Sequence, residues 1–101
     1  MDGCAGNQLI LRDRLINRQV AFLFSLPLTK SEREAIITSQ SAWLTWRGKY
    51  CDVVADIYSE ASELPLQVSS CLASADQMDS ASLWSLYTYL YQGDAQRSLW
   101  P

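Results

Sequence analysis

Apolar side chains recur every three or four residues along most of the chain, which is the spacing of one face of an α-helix. The first stripe predicts a helix from about Gly6 to Leu26, and its members are Leu9, Asp13, Ile16, Val20 and Leu23. Pro27 ends this helix, because proline has no N–H to donate and disfavours helical geometry at the residue before it. The aspartate in this otherwise apolar stripe needs a polar partner when it is buried.

A second helix is predicted to begin directly after this turn and to run to about Ser59. Thr29 with Glu32, and Ser31 with Glu34, each fit the capping box. In that motif a hydroxyl and a carboxylate three residues apart satisfy the free N–H groups at a helix start. Apolar positions keep the helical spacing throughout this stretch.

Two further helices complete the prediction. Ser62–Pro65 is typical of a break, and its proline suits the first turn of a helix over Leu66–Gln77. Asp79 or Ser80 is then expected to cap a last helix, because short polar side chains are favoured at that position.

Gly93 is expected to close the last helix at about Gln92 as its C-terminal cap. No stretch shows the strict alternation of a strand. The sequence therefore predicts an all-α fold, a three- to four-helix bundle built on an antiparallel helical hairpin. A single domain is expected over residues 4–92, with a C-terminal tail over residues 93–101.

The turn at Pro27 defines a register between the first two helices, in which paired residue numbers sum to about 56. The level pairs are Cys4 with Cys51, Asp13 with Trp43, and Asn17 with Gln40. Arg47 lies one turn beyond Trp43, and its long side chain is expected to reach Asp13. Because a buried polar group needs a partner, we predict an ion pair there. The predicted polar core consists of Asp13, Asn17, Gln40, Trp43 and Arg47.

The composition removes most catalytic chemistry. The 101 residues include no histidine, which excludes a Ser-His-Asp relay, a Cys-His pair and a histidine metal site. Asp52, Asp56 and Glu60 place three carboxylates on one helix face. A glycosidase instead needs two carboxylates flanking a cleft, one with its pKa raised by burial. We therefore interpret this face as solvated, and we predict no enzymatic activity, catalytic residue, metal or cofactor.

The charge is unevenly distributed along the chain. Residues 1–50 hold seven basic and four acidic side chains, whereas residues 51–101 hold one basic and seven acidic ones. A formal net charge of −3 argues against nucleic-acid binding. The acidic second half favours a cationic partner instead. No stretch is long and apolar enough to predict a membrane span.

The segment Gln40–Cys51, QSAWLTWRGKYC, resembles the Q-x-x-W-L-x-x-R-D-x-x-C helix of the lysozyme-inhibitor LprI-like family, a group of small exported bacterial domains. Further positions match that family's first and third elements at the same spacings: Cys4, Ala5, Asp13, Ile16, Asn17, Val20, Leu23, Cys71, Leu72 and Leu83. The chain departs from the family at Gly48, where aspartate is usual, and at Asp79, where arginine is usual. The resemblance implies a periplasmic or secreted domain stapled by disulfides, here a mature form without its signal peptide.

Three cysteines leave several pairings open within the disulfide framework that the resemblance implies. We favour a Cys51–Cys71 bridge, which would staple consecutive helices and contribute roughly 3 kcal/mol on the chain-entropy account. Cys4 would then be free or paired between molecules. The helical register offers Cys4–Cys51 instead, and a third alternative is three reduced cysteines in a cytosolic protein.

The last predicted helix is apolar on nearly every side from Leu83 to Tyr91. Such a helix either packs on several sides within the fold or forms a contact surface. The neighbouring aromatic face of this helix consists of Trp84, Tyr87 and Tyr91. Tryptophan and tyrosine are favoured at protein interfaces, so homodimerisation through this face is one expectation and internal packing is the other.

The sequence favours two functions. The first is the one that the resemblance implies: a non-enzymatic exported binding protein that inhibits lysozyme, in which an acidic loop with Glu60, Glu63 and Leu64 or the aromatic face contacts a cationic lysozyme. The second is a structural or immunity-type interaction protein that forms a helical homo-oligomer or an accessory subunit.

Overall fold

The computed structural model describes the backbone of residues 3–101 and the side chains of residues 6–101. It contains three long helices, α1 (Gly3–Phe24), α2 (Lys30–Ile57) and α3 (Leu64–Tyr91). Two short 3₁₀ turns follow, Gln92–Asp94 and Arg97–Leu99. The described residues include no strand, so the predicted all-α fold is confirmed. The bundle is elongated, with extents of 48 × 26 × 18 Å.

Local signals set the turn between α1 and α2. The Thr29 hydroxyl accepts from the Glu32 N–H at 3.0 Å, while the Thr29 N–H donates to the Glu32 carboxylate at 2.7 Å. This is the first of the two predicted capping boxes, and it starts α2 at Lys30. Arg33 then donates to the carbonyl oxygens of Phe24 and Leu26, at 3.1 and 3.3 Å. These bonds satisfy carbonyls that the end of α1 leaves without helical partners.

Helix α3 is the centre of the bundle and packs along both α1 and α2. A disulfide joins Cys51 of α2 to Cys71 of α3, with the two Cα atoms 5.8 Å apart. The favoured pairing is therefore confirmed, and the Cys4–Cys51 and fully reduced alternatives are wrong. The side chain of Cys4 lies outside the described residues, so its own state stays a prediction.

The predicted break near residue 78 is wrong, because α3 is continuous from Leu64 to Tyr91. Asp79 and Ser80 do not cap a fourth helix, because their side chains bond to neighbouring helices. Gln40 donates to Asp79 at 3.1 Å, and the Ser80 hydroxyl donates to the Gln19 side-chain oxygen at 2.8 Å. The described residues thus form a bundle of three α-helices.

The end of α3 also differs from the prediction. Gly93 does not have a positive φ angle; the positive φ falls on Gln92, with φ 52° and ψ −117°. That backbone region favours glycine, because a Cβ crowds the neighbouring peptide there. The chain thereby reverses direction one residue earlier than the glycine suggested.

The segment beyond residue 92, expected to be a tail, folds back on the bundle. The Trp100 ring stacks on Tyr87 with centroids 5.3 Å apart and meets Phe22 edge-on at 5.7 Å. The Gln96 N–H donates to the Tyr87 hydroxyl at 3.1 Å. These contacts extend the buried core, whose central side chains are Ile16, Leu23, Leu83 and Tyr87.

Candidate functional site

A polar cluster is enclosed where the three helices meet. Arg47 of α2 donates from Nη1 to Asp13 of α1 at 3.2 Å and to Asp76 of α3 at 2.8 Å. The guanidinium also lies over the Trp43 ring, 5.2 Å from its centroid. Arg47 therefore connects all three helices, and its contact with Asp13 is the one expected from the predicted register of α1 and α2.

The cluster continues one turn along α3. Asp79 is buried and accepts from Gln40, while buried Gln19 accepts from Ser80. The second carboxylate oxygens of Asp76 and Asp79 are enclosed and have no hydrogen-bonding partner among the described residues. Enclosed charge without a full set of partners costs free energy, so this region favours the protonated carboxyl.

Burial accordingly raises the pKa of Asp76 to about 7, and the nearby Asp13 carboxylate acts in the same direction. The Arg47 guanidinium opposes this rise in the pKa of Asp76 without cancelling it. Burial also raises the pKa of Asp79, against the opposing hydrogen bond from Gln40. The interior thus holds more carboxyl groups than the single arginine can neutralise, and the protonation of Asp76 responds near neutral pH.

A cleft of about 370 Å³ lies between α1 and α2 beside this cluster. All five residues of the predicted polar core line this cleft: Asp13, Asn17, Gln40, Trp43 and Arg47. Asn17 is the exposed member, and its side chain forms no hydrogen bond within residues 6–101. The arrangement fits a structural role, because Arg47 is held in fixed contacts on both sides.

The sequence interpretation missed Asp76, the most enclosed member of the cluster at 0% exposure. Its spacing contained the signal, because Asp76, Asp79, Leu83 and Tyr87 follow one another at steps of three, four and four. That spacing puts both aspartates on the helix face that buries Leu83 and Tyr87. Treating Asp79 as a helix cap cut this stripe in two.

The predicted acidic loop lies at the end of the bundle where α2 joins α3. Glu60 and Glu63 are exposed, whereas Leu64 is half-buried as the first residue of α3. Asp52 and Asp56 are exposed on the last turns of α2, next to this loop. The three carboxylates interpreted as a solvated face are thus on the surface.

The aromatic face proposed as a partner surface is instead largely internal. Tyr87 is only 3% exposed, and Trp84 and Tyr91 are half-buried. Trp100 covers this face, and Arg97 lies 4.4 Å from the centroid of the Trp84 ring. The C-terminal segment of the same chain occupies the position next to Tyr87, so its predicted contact with a partner gains no support and stays a prediction.

Within the described part of the chain, no group of three or more acidic or cysteine side chains is placed to hold a metal ion. None of the described helices is long and apolar enough to cross a membrane.

Comparison with known proteins gives one match. The family model "Lysozyme inhibitor LprI" matches residues 1–80, which include the acidic loop, the disulfide and every member of the polar cluster. Neither the curated proteins nor the solved structures include a match. Because the family model covers most of the chain, this protein belongs to the lysozyme inhibitor LprI family.

Proposed function

We propose that this protein is a non-enzymatic, exported inhibitor that binds a cationic lysozyme. The observation that carries the proposal is the family match over residues 1–80. The family name implies binding and inhibition rather than catalysis. The architecture is compatible with this, because a disulfide-linked helical bundle presents a fixed surface without needing a catalytic group.

The charge distribution supports a cationic partner. Asp52, Asp56, Glu60 and Glu63 are all exposed at the end of the bundle that contains the loop between α2 and α3. No lysine or arginine occurs from residue 50 to residue 96. Such a surface accelerates encounter with a basic protein, and this attraction weakens as salt screens the charges.

The test is an inhibition assay with a purified cationic lysozyme and a peptidoglycan suspension. Micromolar protein should slow clearing of the suspension, and the inhibition should weaken between about 0.02 and 0.3 M salt as the Debye length shortens. A control protein of the same net charge but unrelated fold excludes a nonspecific effect of acidic protein. Unchanged lysozyme turnover at low salt would remove the proposal.

Export is supported by the disulfide, since such bonds persist in oxidising compartments and are rare in the cytosol. Fractionation of cells that express the native gene should place the protein in the periplasm or the medium. Thiol labelling without reductant should leave Cys51 and Cys71 unmodified. Recovery of the protein in the cytosol with both thiols labelled would contradict export.

The alternative of a helical oligomer depended on the aromatic face of the last helix. Because Trp100 covers that face within the same chain, this surface gives the alternative no support. Homodimerisation stays a prediction that needs a different surface.

A further inference from the structure

Four apolar side chains form an exposed stripe on α2, separate from the bundle core. Trp46, Tyr50, Val53 and Ile57 follow at steps of four, three and four, which puts them on one helix face. All four are exposed, and Ile57 reaches 71%. We call these four residues the α2 stripe. Single exposed apolar residues are ordinary, whereas an aligned row of four is a candidate contact surface.

The α2 stripe adjoins an open groove between α2 and α3 of about 500 Å³. Trp46, Tyr50 and Tyr58 form its aromatic wall, and Met78 lies on the α3 side. Among the described side chains, none that is charged lines the groove. The Trp46 and Tyr50 rings stack with centroids 5.1 Å apart, which fixes them as a flat platform. Rigid aromatic side chains of this kind supply much of the binding energy at protein interfaces.

The disulfide holds this surface in place. Cys51 and Cys71 bridge the two helices, and Cys71 itself lines the groove. The groove walls therefore cannot separate without breaking a covalent bond. Binding to such a surface requires little ordering of the backbone, so less binding free energy is lost on association.

Carboxylates border the α2 stripe on one side and at its end, where they outnumber the neighbouring exposed cation Lys49, and they favour a basic partner. Asp52 and Asp56 each precede a stripe residue in the chain, and Glu60 and Glu63 lie in the loop just beyond it. An apolar centre with a charged rim is the usual anatomy of a protein interface. A second copy of this chain would bring the same carboxylates together, which costs free energy, whereas a basic protein would neutralise them.

We propose that the α2 stripe and its acidic rim, rather than the aromatic face of α3, form the surface that contacts the cationic lysozyme. This inference rests on the proposed function. In this arrangement the carboxylates direct the encounter, while Trp46, Tyr50, Val53 and Ile57 supply the desolvated centre of the contact. The loop with Glu60 and Glu63 then belongs to the rim.

The decisive comparison uses two matched double variants of α2. V53S/I57S removes the outer half of the stripe, at side chains that are 58% and 71% exposed. I37S/L44S removes two aliphatic side chains, 55% and 51% exposed, elsewhere on the same helix. Both variants should keep the wild-type circular dichroism spectrum. We expect V53S/I57S to weaken lysozyme binding about tenfold or more, and I37S/L44S to bind as wild type.

A second pair of double variants tests the contribution of the carboxylates. D52N/D56N should slow association and flatten its salt dependence, whereas E34Q/D94N should leave both unchanged, because those exposed carboxylates lie away from the stripe. Association and dissociation rates are measured on immobilised lysozyme at two salt concentrations. The carboxamide variants keep the side-chain shape, so a change reports charge rather than packing.

The outcomes separate the inference from the function on which it rests. Wild-type protein that neither binds nor inhibits lysozyme overturns the proposed function and this partner with it. Wild-type inhibition that V53S/I57S retains in full overturns the surface assignment alone. A wild-type dimer that V53S/I57S converts to monomer, as measured by sedimentation, assigns the stripe to a second copy and also overturns the inference.

Discussion

Replacing Arg47 by leucine tests the account of the polar cluster most directly. Arg47→Leu removes the only cation that contacts Asp76 among the side chains of residues 6–101, and Asp76 is completely enclosed. Breaking a buried ion pair by removing one partner costs about 3–5 kcal/mol, because the other charge is left uncompensated. Asp13 adds little to this figure, since its carboxylate is about half exposed and solvent screens it.

The loss of unfolding free energy should depend strongly on pH, and this dependence distinguishes an effect of charge from an effect of packing. Asp76 can escape an uncompensated charge by taking up a proton, and its pKa is already about 7 with Arg47 present. Without Arg47 the pKa of Asp76 rises further. At pH 5 the carboxyl is therefore neutral, and the substitution lowers the unfolding free energy by less. We expect a destabilisation of about 3–5 kcal/mol at pH 8 and a clearly smaller loss at pH 5.

The assay is urea unfolding at both pH values, followed by tryptophan fluorescence and by circular dichroism. Lys49→Leu is the matched control, since it removes an exposed charge from the same helix and should change the unfolding free energy by less than about 0.5 kcal/mol. The double variant R47L/D76L should recover much of the loss at pH 8, because no buried charge remains. An equal loss at both pH values, without recovery in the double variant, would show that packing rather than charge explains the effect.

Three further outcomes follow from other parts of the molecule. Since the pKa of Asp76 is raised above its unfolded value of 3.8 to about 7, the folded state binds the proton more tightly. The unfolding free energy should therefore fall as pH rises from about 4 to about 7, by at most about 1.4 kcal/mol per unit, and D76N should flatten this slope in urea titrations. The double variant C51S/C71S should lose roughly 3 kcal/mol in the same titrations, and a loss below 1 kcal/mol would deny the disulfide a stabilising role. Gln92→Gly should gain about 1 kcal/mol, visible as a higher melting temperature, whereas a loss would mean that the positive φ is not strained.

Features set by neighbours in the chain could be predicted from the sequence. The capping box at Thr29 and Glu32 and the stop at Pro27 depend on residues within three positions of one another. The contact between Arg47 and Asp13 spans 34 positions, yet it was accessible because one short turn fixes the register of two helices. The same register paired Asn17 with Gln40, but Gln40 bonds to Asp79 of α3 instead, so the predicted packing of α1 against α2 as a hairpin stays a prediction.

Features set by the third helix were not accessible in the same way. Asp79 and Ser80 have the short polar side chains of helix caps, yet both lie inside α3, where they bond to Gln40 and Gln19, 39 and 61 positions away. Local propensity and tertiary contact conflict here, and the tertiary contact prevails. The position of Trp100 is a similar case, because no local pattern indicates that an aromatic residue after a chain reversal will cover Tyr87.

The arrangement along α2 separates stability from recognition within one helix. Gln40 and Arg47 bond within the polar cluster, and Cys51 links the helix to α3 through the disulfide. Val53 and Ile57 follow Cys51 in the helix and are exposed to solvent. Because Val53 and Ile57 are exposed, we expect their substitution to leave the inner contacts in place, and an unchanged circular dichroism spectrum would then separate a loss of binding from unfolding. Conversely, a cluster that loses stability as Asp76 ionises weakens the scaffold without altering the acidic surface. The carboxylates proposed to attract a basic partner and the carboxyl that sets the pH response are therefore distinct groups, which substitution can address one at a time.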